Sequence, residues 1–135
     1  MAFSFIQKVL FKHCDPAGIV FFPRYFEMMN DCVEAFFDEA LDWPFEKLLQ
    51  TAGIPTATIA TQFNAPSRHG DKLDLQLEIT RIGCSSFDYL MTANCAEEQR
   101  FKTEATLVHI NLKCKPTPIP DAVRLRLRDL IKVNS

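Results

Sequence analysis

The segment PRYFEMMNDCVEAFFDEA, residues 23–40, has the strongest helical pattern in the chain. Its large apolar residues recur at spacings of three and four, as in an amphipathic α-helix. They are Phe26, Met29, Val33, Phe36, Phe37 and Ala40. The charged residues on the opposite side are Arg24, Glu27, Asp31, Glu34 and Asp38. Pro23 is typical of a first helical turn, where its missing N–H is not needed. We therefore expect one long helix whose apolar face is deeply covered.

Alternating apolar and polar residues predict strands on both sides of this helix. The segment 73–80 alternates strictly and predicts a half-buried strand. Further strands are predicted at 3–12, 58–64, 86–95 and 101–112. The first would place Phe11 on its apolar face. In the last strand, the apolar residues move from odd-numbered to even-numbered positions after Leu107. We interpret this phase shift as a bulge or as burial on both faces. Short helical segments are expected at 45–51 and after residue 120.

The order of these elements predicts an α+β fold. A strand is followed by the long helix, by four strands and by a short helix. Because the strands after residue 57 are joined by short turns, they should pair antiparallel. The apolar helix needs a cover, and a curved antiparallel sheet wrapped around one long central helix provides it. At 135 residues, the chain is expected to form one domain over 1–135.

Composition excludes several classes of protein. With 47% hydrophobic and 24% charged residues and a net charge of −2, the chain has no basic excess to attract nucleic acid. It lacks the apolar run of a membrane span and the charged-then-apolar pattern of a signal peptide. Its five cysteines are odd in number and form no Cys-x-x-Cys pair. We therefore expect free thiols in a cytoplasmic protein, without a disulfide framework or a metal site.

Residues 13–26, HCDPAGIVFFPRYF, are the best candidate for chemistry. They place an acid, Asp15, a sharp loop and a helix N-terminus close together. Unpaired N–H groups at a helix start can stabilise an oxyanion, and a nearby carboxylate can act as general base or nucleophile. The alternative is that Asp15 only organises the Pro-Ala-Gly turn through bonds to backbone amides.

The stretch DPAGIVFFPRYF, residues 15–26, resembles the signature of the 4-hydroxybenzoyl-CoA thioesterase family of hot-dog proteins. In that family, Asp-x-x-Gly-x-Val-x-[Tyr/Phe/His]-x-x-Tyr follows the first strand and opens the central helix. Segments 64–66, 70–73, 81–87 and 118–120 are also similar, in the same order, so that the resemblance covers nearly the whole chain. It implies the hot-dog fold and hydrolysis of a small or aromatic acyl-CoA to free acid and CoA. No metal or organic cofactor is implied.

The resemblance also implies roles for residues of the first motif. Asp15 would be the catalytic carboxylate, acting either on a water molecule or directly on the thioester carbonyl. The backbone N–H near Phe22 would be the oxyanion donor. Gly18 and Tyr25, which match the motif, are candidates for substrate binding.

Three residues of the later segments are further substrate-binding candidates. Arg81 is a candidate contact for the CoA phosphates, and Ser85 and Ser86 for the pantetheine arm. Many relatives carry a basic residue where this chain has Cys84, so the nucleotide site departs from the family pattern there. The alternative is that Arg81 is an ordinary exposed charge and that Ser85 and Ser86 only belong to a turn.

Asn30 is a candidate of a different kind. At about 100° per residue it flanks the apolar side of the long helix and not the charged side. An amide in that position can meet a polar group on the acyl chain. The alternative is a hydrogen bond to a neighbouring loop.

Three other functions are considered. Cys14 beside His13 suggests a thiol hydrolase, although adjacent residues of an extended strand point to opposite faces. A hot-dog acyl dehydratase needs a paired His and carboxylate, for which His13, His69 and His109 are the available histidines. A non-catalytic acyl-CoA-binding or scaffold protein is the third. A small sheet on one helix leaves strand edges exposed, so we expect a homodimer or homotetramer.

Overall fold

The computed structural model describes residues 2–134. The helices are α1 (Pro23–Glu39), α2 (Phe45–Leu48) and α3 (Asp121–Asn134), with a short 3₁₀ helix at Phe11–His13. The strands are β1 (Phe3–Lys8), β2 (Ala52–Gly53), β3 (Thr56–Phe63), β4 (Lys72–Ile82), β5 (Ser86–Cys95), β6 (Glu98–Val108) and β7 (Ile110–Asn111). Five strands form one antiparallel sheet in the order β1-β4-β5-β6-β3, and β2 pairs with β7 separately.

Helix α1 begins at Pro23, as predicted, and its charged side is exposed. Its buried face includes residues outside the predicted stripe, whereas Phe26 and Ala40 of that stripe are only half-buried. The buried residues are Tyr25, Met28, Met29, Cys32, Val33, Phe36 and Phe37. Tyr25, Met28 and Cys32 join the core because the sheet covers α1 over more than one stripe of side chains. The predicted central helix is thus confirmed, with a wider apolar contact.

The sheet buries one face against α1. On β4 the alternating residues Leu73, Leu75, Leu77 and Ile79 are all buried, as their pattern predicts. Each such side chain contributes about 1.5–3 kcal/mol to folding when fully buried. An antiparallel sheet packed on one long helix is the hot-dog fold, so the predicted fold class is confirmed.

Two predictions of strand extent are wrong. The first strand ends at Lys8, and Phe11 lies in the 3₁₀ helix with 81% of its surface exposed. The last predicted strand is two strands, because the chain leaves the main sheet after Val108 and β7 then pairs with β2. The phase shift after Leu107 therefore marks this departure and not a bulge.

Strand β3 is an open edge of the sheet. It pairs with β6 on one side, and nearly all of its residues are exposed. Ile59 and Phe63, which belong to its inner face, are 44% and 45% exposed. Within residues 2–134, no helix is both long and apolar enough to cross a membrane.

Candidate functional site

The loop before α1 is a tight hairpin. Cys14 and Val20 form an antiparallel bridge, and the Asp15 N–H donates to the Ile19 carbonyl at 3.0 Å. Gly18 closes the turn with its N–H 2.9 Å from the Asp15 carbonyl and a φ of +82°, which glycine adopts without strain. The positive φ favours glycine at this point, so the structure gives Gly18 a conformational role.

The half-buried carboxylate of Asp15 is only partly used by the turn. Its Oδ1 accepts a hydrogen bond from the Ala17 N–H at 2.8 Å, the contact expected if Asp15 organises the loop. Its Oδ2 has no hydrogen-bond partner among residues 2–134. One oxygen thus orients the carboxylate while the other stays free.

The start of α1 leaves one N–H group free. The Arg24 N–H donates to the Phe21 carbonyl at 2.8 Å and the Tyr25 N–H to the Phe22 carbonyl at 3.0 Å, while Pro23 has no N–H. In the described part of the chain, the Phe22 N–H has no acceptor. A free donor at the positive end of a 17-residue helix can stabilise a developing negative charge.

This N–H lies beside the Asp15 hairpin. The Phe21 N–H donates to the His13 carbonyl at 2.9 Å, which holds the start of α1 against the beginning of the loop. The structure therefore brings the free oxygen of Asp15 and the free N–H of Phe22 to the same end of α1.

The segment 64–71 anchors this end of the helix. The fully buried Ser67 accepts the Val20 N–H on its carbonyl at 2.9 Å and the Tyr25 hydroxyl on its Oγ at 2.9 Å. Because the Tyr25 hydroxyl bonds to Ser67, the ring is the part of Tyr25 that could contact a substrate. That ring borders a small cavity of about 270 Å³ together with Phe22 and Phe63.

The anchoring segment is itself held by an ion pair. Asp71 accepts hydrogen bonds from the Arg68 N–H at 2.9 Å and from Arg100 at 2.8 Å. These two interactions, the backbone bond first, lower the pKa of Asp71. The carboxylate therefore stays charged at neutral pH and keeps the segment in place below the helix start.

A cleft of about 610 Å³ opens between α1, α2 and β3. This volume lies within the range of about 300–1,000 Å³ that is usual for small-molecule sites. Its walls are mainly apolar, and they include Phe26, Met29, Val33, Leu49, Ile54 and Leu107. The cleft begins one helical turn after Phe22, so it extends away from the free N–H along the exposed edge of α1.

Two polar side chains border this cleft without partners of their own. Asn30 lines it, and its amide makes no hydrogen bond to the described residues, so the alternative of a bond to a nearby loop is not observed. Tyr89 of β5 also lines it and is only 3% exposed, yet its hydroxyl has no hydrogen-bond partner within residues 2–134. Burial, and to a lesser degree Cys32, raise the pKa of Tyr89 to about 12. Its hydroxyl is therefore protonated at neutral pH and able to donate.

The His13 and Cys14 pair is not arranged for nucleophilic catalysis. The buried His13 accepts the Leu10 N–H on Nδ1 at 2.9 Å, and burial followed by the Lys12 charge lowers its pKa. The Cys14 thiol donates to the Leu10 carbonyl at 3.7 Å and not to the imidazole. Both side chains thus hold the 3₁₀ turn.

The other histidines are not paired with acids. His109 is buried against Trp43, with Nδ1 2.8 Å from the Thr117 carbonyl, and the exposed His69 lies beside Phe11. Among residues 2–134, no ion pair joins a histidine to a carboxylate, and no three potential ligands cluster around a metal position. The arrangement that an acyl dehydratase needs is therefore not observed in the described chain.

Arg81, Ser85 and Ser86 lie elsewhere in the subunit. They belong to the β4–β5 hairpin, where Arg81 bonds to Asp88 at 2.8 Å and to the Ser86 Oγ at 3.0 Å. Strand β4 has 11 residues, so at about 3.4 Å per residue its two ends are roughly 34 Å apart. The end near Lys72 is the one that adjoins the Asp15 loop, through β1. Within one subunit, the structure does not bring the hairpin together with Asp15.

Sequence reasoning missed two residues of this region, Ser67 and Tyr89. Ser67 follows a proline in a turn, where serine is ordinary, and no local pattern indicates its contact with Tyr25. Tyr89 occupies an inward position of β5 between Phe87 and Met91. Its pattern predicts a core side chain, and a polar tip at such a position was the one available indication of a site.

Comparisons with known proteins identify relatives over nearly the whole chain. The sequence profile of a family described as the thioesterase-like superfamily matches residues 9–127. The 1,4-dihydroxy-2-naphthoyl-CoA hydrolase of Synechococcus elongatus is 24% identical in an alignment 141 residues long, gaps included, which covers 98% of this chain and 97% of the relative. The hydrolase of the same name from Synechocystis is 24% identical over 132 residues, or 95% and 96% of the two chains.

Solved structures are similar over the same extent. A 1,4-dihydroxy-2-naphthoyl-CoA thioesterase from Synechocystis has a TM-score of 0.88 at 22% identity and covers 96% of this chain and 98% of its own. A gentisyl-coenzyme A thioesterase has a TM-score of 0.85 at 26% identity, with coverage of 92% and 98%. The match therefore extends from the Asp15 loop to the C-terminal helix.

Proposed function

The chain belongs to the thioesterase-like superfamily, and from this premise we propose that it hydrolyses an aromatic acyl-CoA to the free acid and CoA. The observation that carries the proposal is that the free Asp15 oxygen and the free Phe22 N–H belong to the same end of α1, with an apolar-walled cleft that begins one helical turn further along the helix. The relatives named above act on bicyclic and monocyclic aromatic acyl-CoA esters. A cleft of about 610 Å³ has room for either kind of ring.

The proposed reaction begins with the thioester carbonyl at the Phe22 N–H. In the first route, Asp15 takes a proton from a water molecule while the water oxygen bonds to the carbonyl carbon. The carbonyl oxygen becomes an oxyanion stabilised by the N–H. When the intermediate collapses, the carbon–sulfur bond breaks, and the CoA thiolate takes up the proton.

In the second route, Asp15 itself attacks the carbonyl carbon. The carbon–sulfur bond then breaks to leave an anhydride between Asp15 and the acyl group, and water hydrolyses it. A single turnover in H₂¹⁸O tests for the anhydride. Attack of water on its Asp15 carbonyl puts the label in the protein, which the first route never does. Label in the acid product arises both from direct attack by water and from attack on the acyl carbonyl of the anhydride.

We also propose that the enzyme is a homodimer, or a tetramer built from such dimers, joined through β3. Its edge is open, and antiparallel pairing with a second copy would continue the sheet across the two subunits. Such pairing places the Thr56 end of one β3 near the Phe63 end of the other. The β4–β5 hairpin of the partner subunit, with its Arg81 and serine candidates, would then lie toward the Asp15 end of this subunit.

The remaining parts of the proposal concern the whole chain. We propose that residues 1–135 form a single thioesterase domain and that it acts in the cytoplasm. The support for this compartment is chemical, because all five cysteines are free thiols, as is usual in reducing surroundings.

Thioester turnover tests the function directly. The purified protein is incubated with benzoyl-CoA, a hydroxybenzoyl-CoA, a naphthoyl-CoA and hexanoyl-CoA, and release of free CoA thiol is followed. We expect the aromatic esters to have the higher kcat/KM values. Absence of thiol release with every ester would refute the proposal and favour a non-catalytic acyl-CoA-binding protein.

A further inference from the structure

A histidine side chain closes the short turn that joins β1 to the Asp15 loop. His13 is 4% exposed, and its Nδ1 accepts a hydrogen bond from the Leu10 N–H at 2.9 Å. The imidazole thus takes the part that a glutamate plays in a capping box, where the third residue of a helix reaches back to the N–H in front of it. Because Nδ1 is the acceptor, the ring is neutral and carries its proton on Nε2.

This turn is fixed at both of its ends. At one end, the Val9 N–H donates to the Asp71 carbonyl at 2.7 Å, and the Val9 carbonyl accepts the Gly70 N–H at 2.8 Å, so that the chain is tied to the anchoring segment. At the other end, the His13 carbonyl accepts the Phe21 N–H at 2.9 Å, so that the hairpin before α1 starts at His13. The turn therefore sets the position of the hairpin relative to the helix start.

The surroundings of the His13 ring favour its neutral form. The charged side chains that act on the ring are Lys12, of the same turn, and Arg24, Glu27 and Asp31, of α1. Burial, followed by the Lys12 charge, lowers the pKa of His13, and the two carboxylates of α1 oppose this only in part. Among residues 2–134, no carboxylate forms an ion pair with the ring.

We propose that His13 is a positioning residue: its neutral imidazole holds the turn that orients the Asp15 loop, and protonation of the ring releases the loop and stops hydrolysis. The inference rests on the proposed function and adds control by pH to it. His13 makes no contact with the substrate in this role. A proton on Nδ1 would face the Leu10 N–H, so two opposed donors would replace the bond that closes the turn.

The test compares wild type with His13→Asn and His13→Ala. Asparagine offers an oxygen near the position of Nδ1 and does not titrate, whereas alanine removes the acceptor. With the fastest ester of the panel above, kcat and KM are measured from about pH 5 to about pH 8, after circular dichroism shows that each protein is folded at each pH. Wild type should lose about tenfold in kcat toward pH 5, and His13→Asn about threefold or less. His13→Ala should have a kcat lower by about tenfold to a hundredfold at every pH, with little change in KM.

His69→Asn is the matched control, because it removes the exposed histidine that lies beside the same turn, against Phe11. It should keep the pH profile of wild type. Protonation of Asp15 itself would affect all four proteins alike, so the difference between their profiles isolates the contribution of His13.

The thermal midpoint gives a second measure that does not depend on turnover. Because the pKa of His13 is lower in the folded chain than in the unfolded one, the free energy of unfolding decreases as the pH falls below about 6.5. This decrease should be smaller in His13→Asn. An equal decrease in the two proteins would show that the folded ring takes up a proton as readily as the unfolded one, which would overturn the inference.

Failure of the inference differs from failure of the proposed function. If the ester is hydrolysed and His13→Asn loses activity in acid as steeply as wild type, His13 does not control the loop, while the enzyme remains a thioesterase. If none of the proteins hydrolyses any ester of the panel at any pH, the proposed function is wrong, and the inference with it.

Discussion

Cys14 and Asp15 are neighbours in the sequence but have different surroundings. The thiol donates to the Leu10 carbonyl and has no base beside it. The carboxylate uses one oxygen to bond the Ala17 N–H and keeps the other free. The turn contact and a catalytic role are therefore compatible, because the Ala17 bond fixes the direction of the free oxygen.

We predict that Asp15→Asn lowers kcat at least about a hundredfold with little change in KM. The amide keeps the size of the side chain but removes its basicity and most of its nucleophilicity. Cys14→Ala should stay within about tenfold of wild type, because it removes a small, partly buried thiol. Both variants are assayed under identical conditions after their folding is checked by circular dichroism. An inactive Cys14→Ala with a normal Asp15→Asn would identify the thiol as the nucleophile.

Asn30 is predicted to tune acyl selectivity more than chemistry. It lines the cleft, and its amide makes no bond to the described residues. Asn30→Leu should therefore favour apolar acyl groups, by about tenfold in the ratio of kcat/KM values for an aliphatic and a hydroxylated aromatic ester. An unchanged ratio in a well-folded variant would place Asn30 outside the pocket.

At the scale of elements, the proposed site rests on the N-terminus of α1. Pro23 lacks an N–H, and the next two N–H groups bond back to residues 21 and 22. The Phe22 N–H therefore stands alone at the helix start. Since this donor belongs to the backbone, the side chain at position 22 is free to vary between relatives.

Phe22→Pro removes this donor without breaking a hydrogen bond to the described residues. The φ of Phe22 is −52°, which a proline ring allows. We predict a loss of about 10²–10³ in kcat, the usual effect of removing one oxyanion donor. Phe22→Ala, which keeps the N–H and loses the ring, should retain kcat within about tenfold. Equal losses in the two variants would mean that the ring matters and the N–H does not.

At the scale of the whole molecule, a single subunit leaves one edge of strand β3 without a neighbouring strand. Both faces of this strand are largely exposed, although its inner residues continue the apolar rows of the sheet. Long exposed edges promote association with further strands. The proposed dimer would cover this edge. It would also bring the Asp15 loop of one subunit toward the β4–β5 hairpin of the other.

We predict that the protein sediments at no less than twice its chain mass of 15.4 kDa at micromolar concentration. Ala60→Lys, on the edge strand, should shift it toward monomer, because two-fold pairing brings the two new charges near each other. Gln50→Lys adds the same charge in an exposed turn and should leave the mass unchanged. A wild-type protein that sediments only as a monomer would contradict the pairing of β3.

Much of the fold was determined by local patterns in the sequence. The spacing of apolar residues predicted α1, and strict alternation predicted β4, because each pattern is fixed by the geometry of a single element. The Asp15–Gly18 turn was also predictable, since its hydrogen bonds join residues within five positions of one another. The resemblance of this loop to a family motif then indicated thioester chemistry.

Other features were decided only by tertiary structure. The burial of Tyr25, Met28 and Cys32 depends on how far the sheet extends over α1, and the end of β6 depends on the pairing of β7 with β2. The free hydroxyl of Tyr89 depends on a cleft formed by three elements from distant parts of the chain. Periodicity assigns a residue to a face, but only long-range packing determines whether a polar group on that face finds a partner.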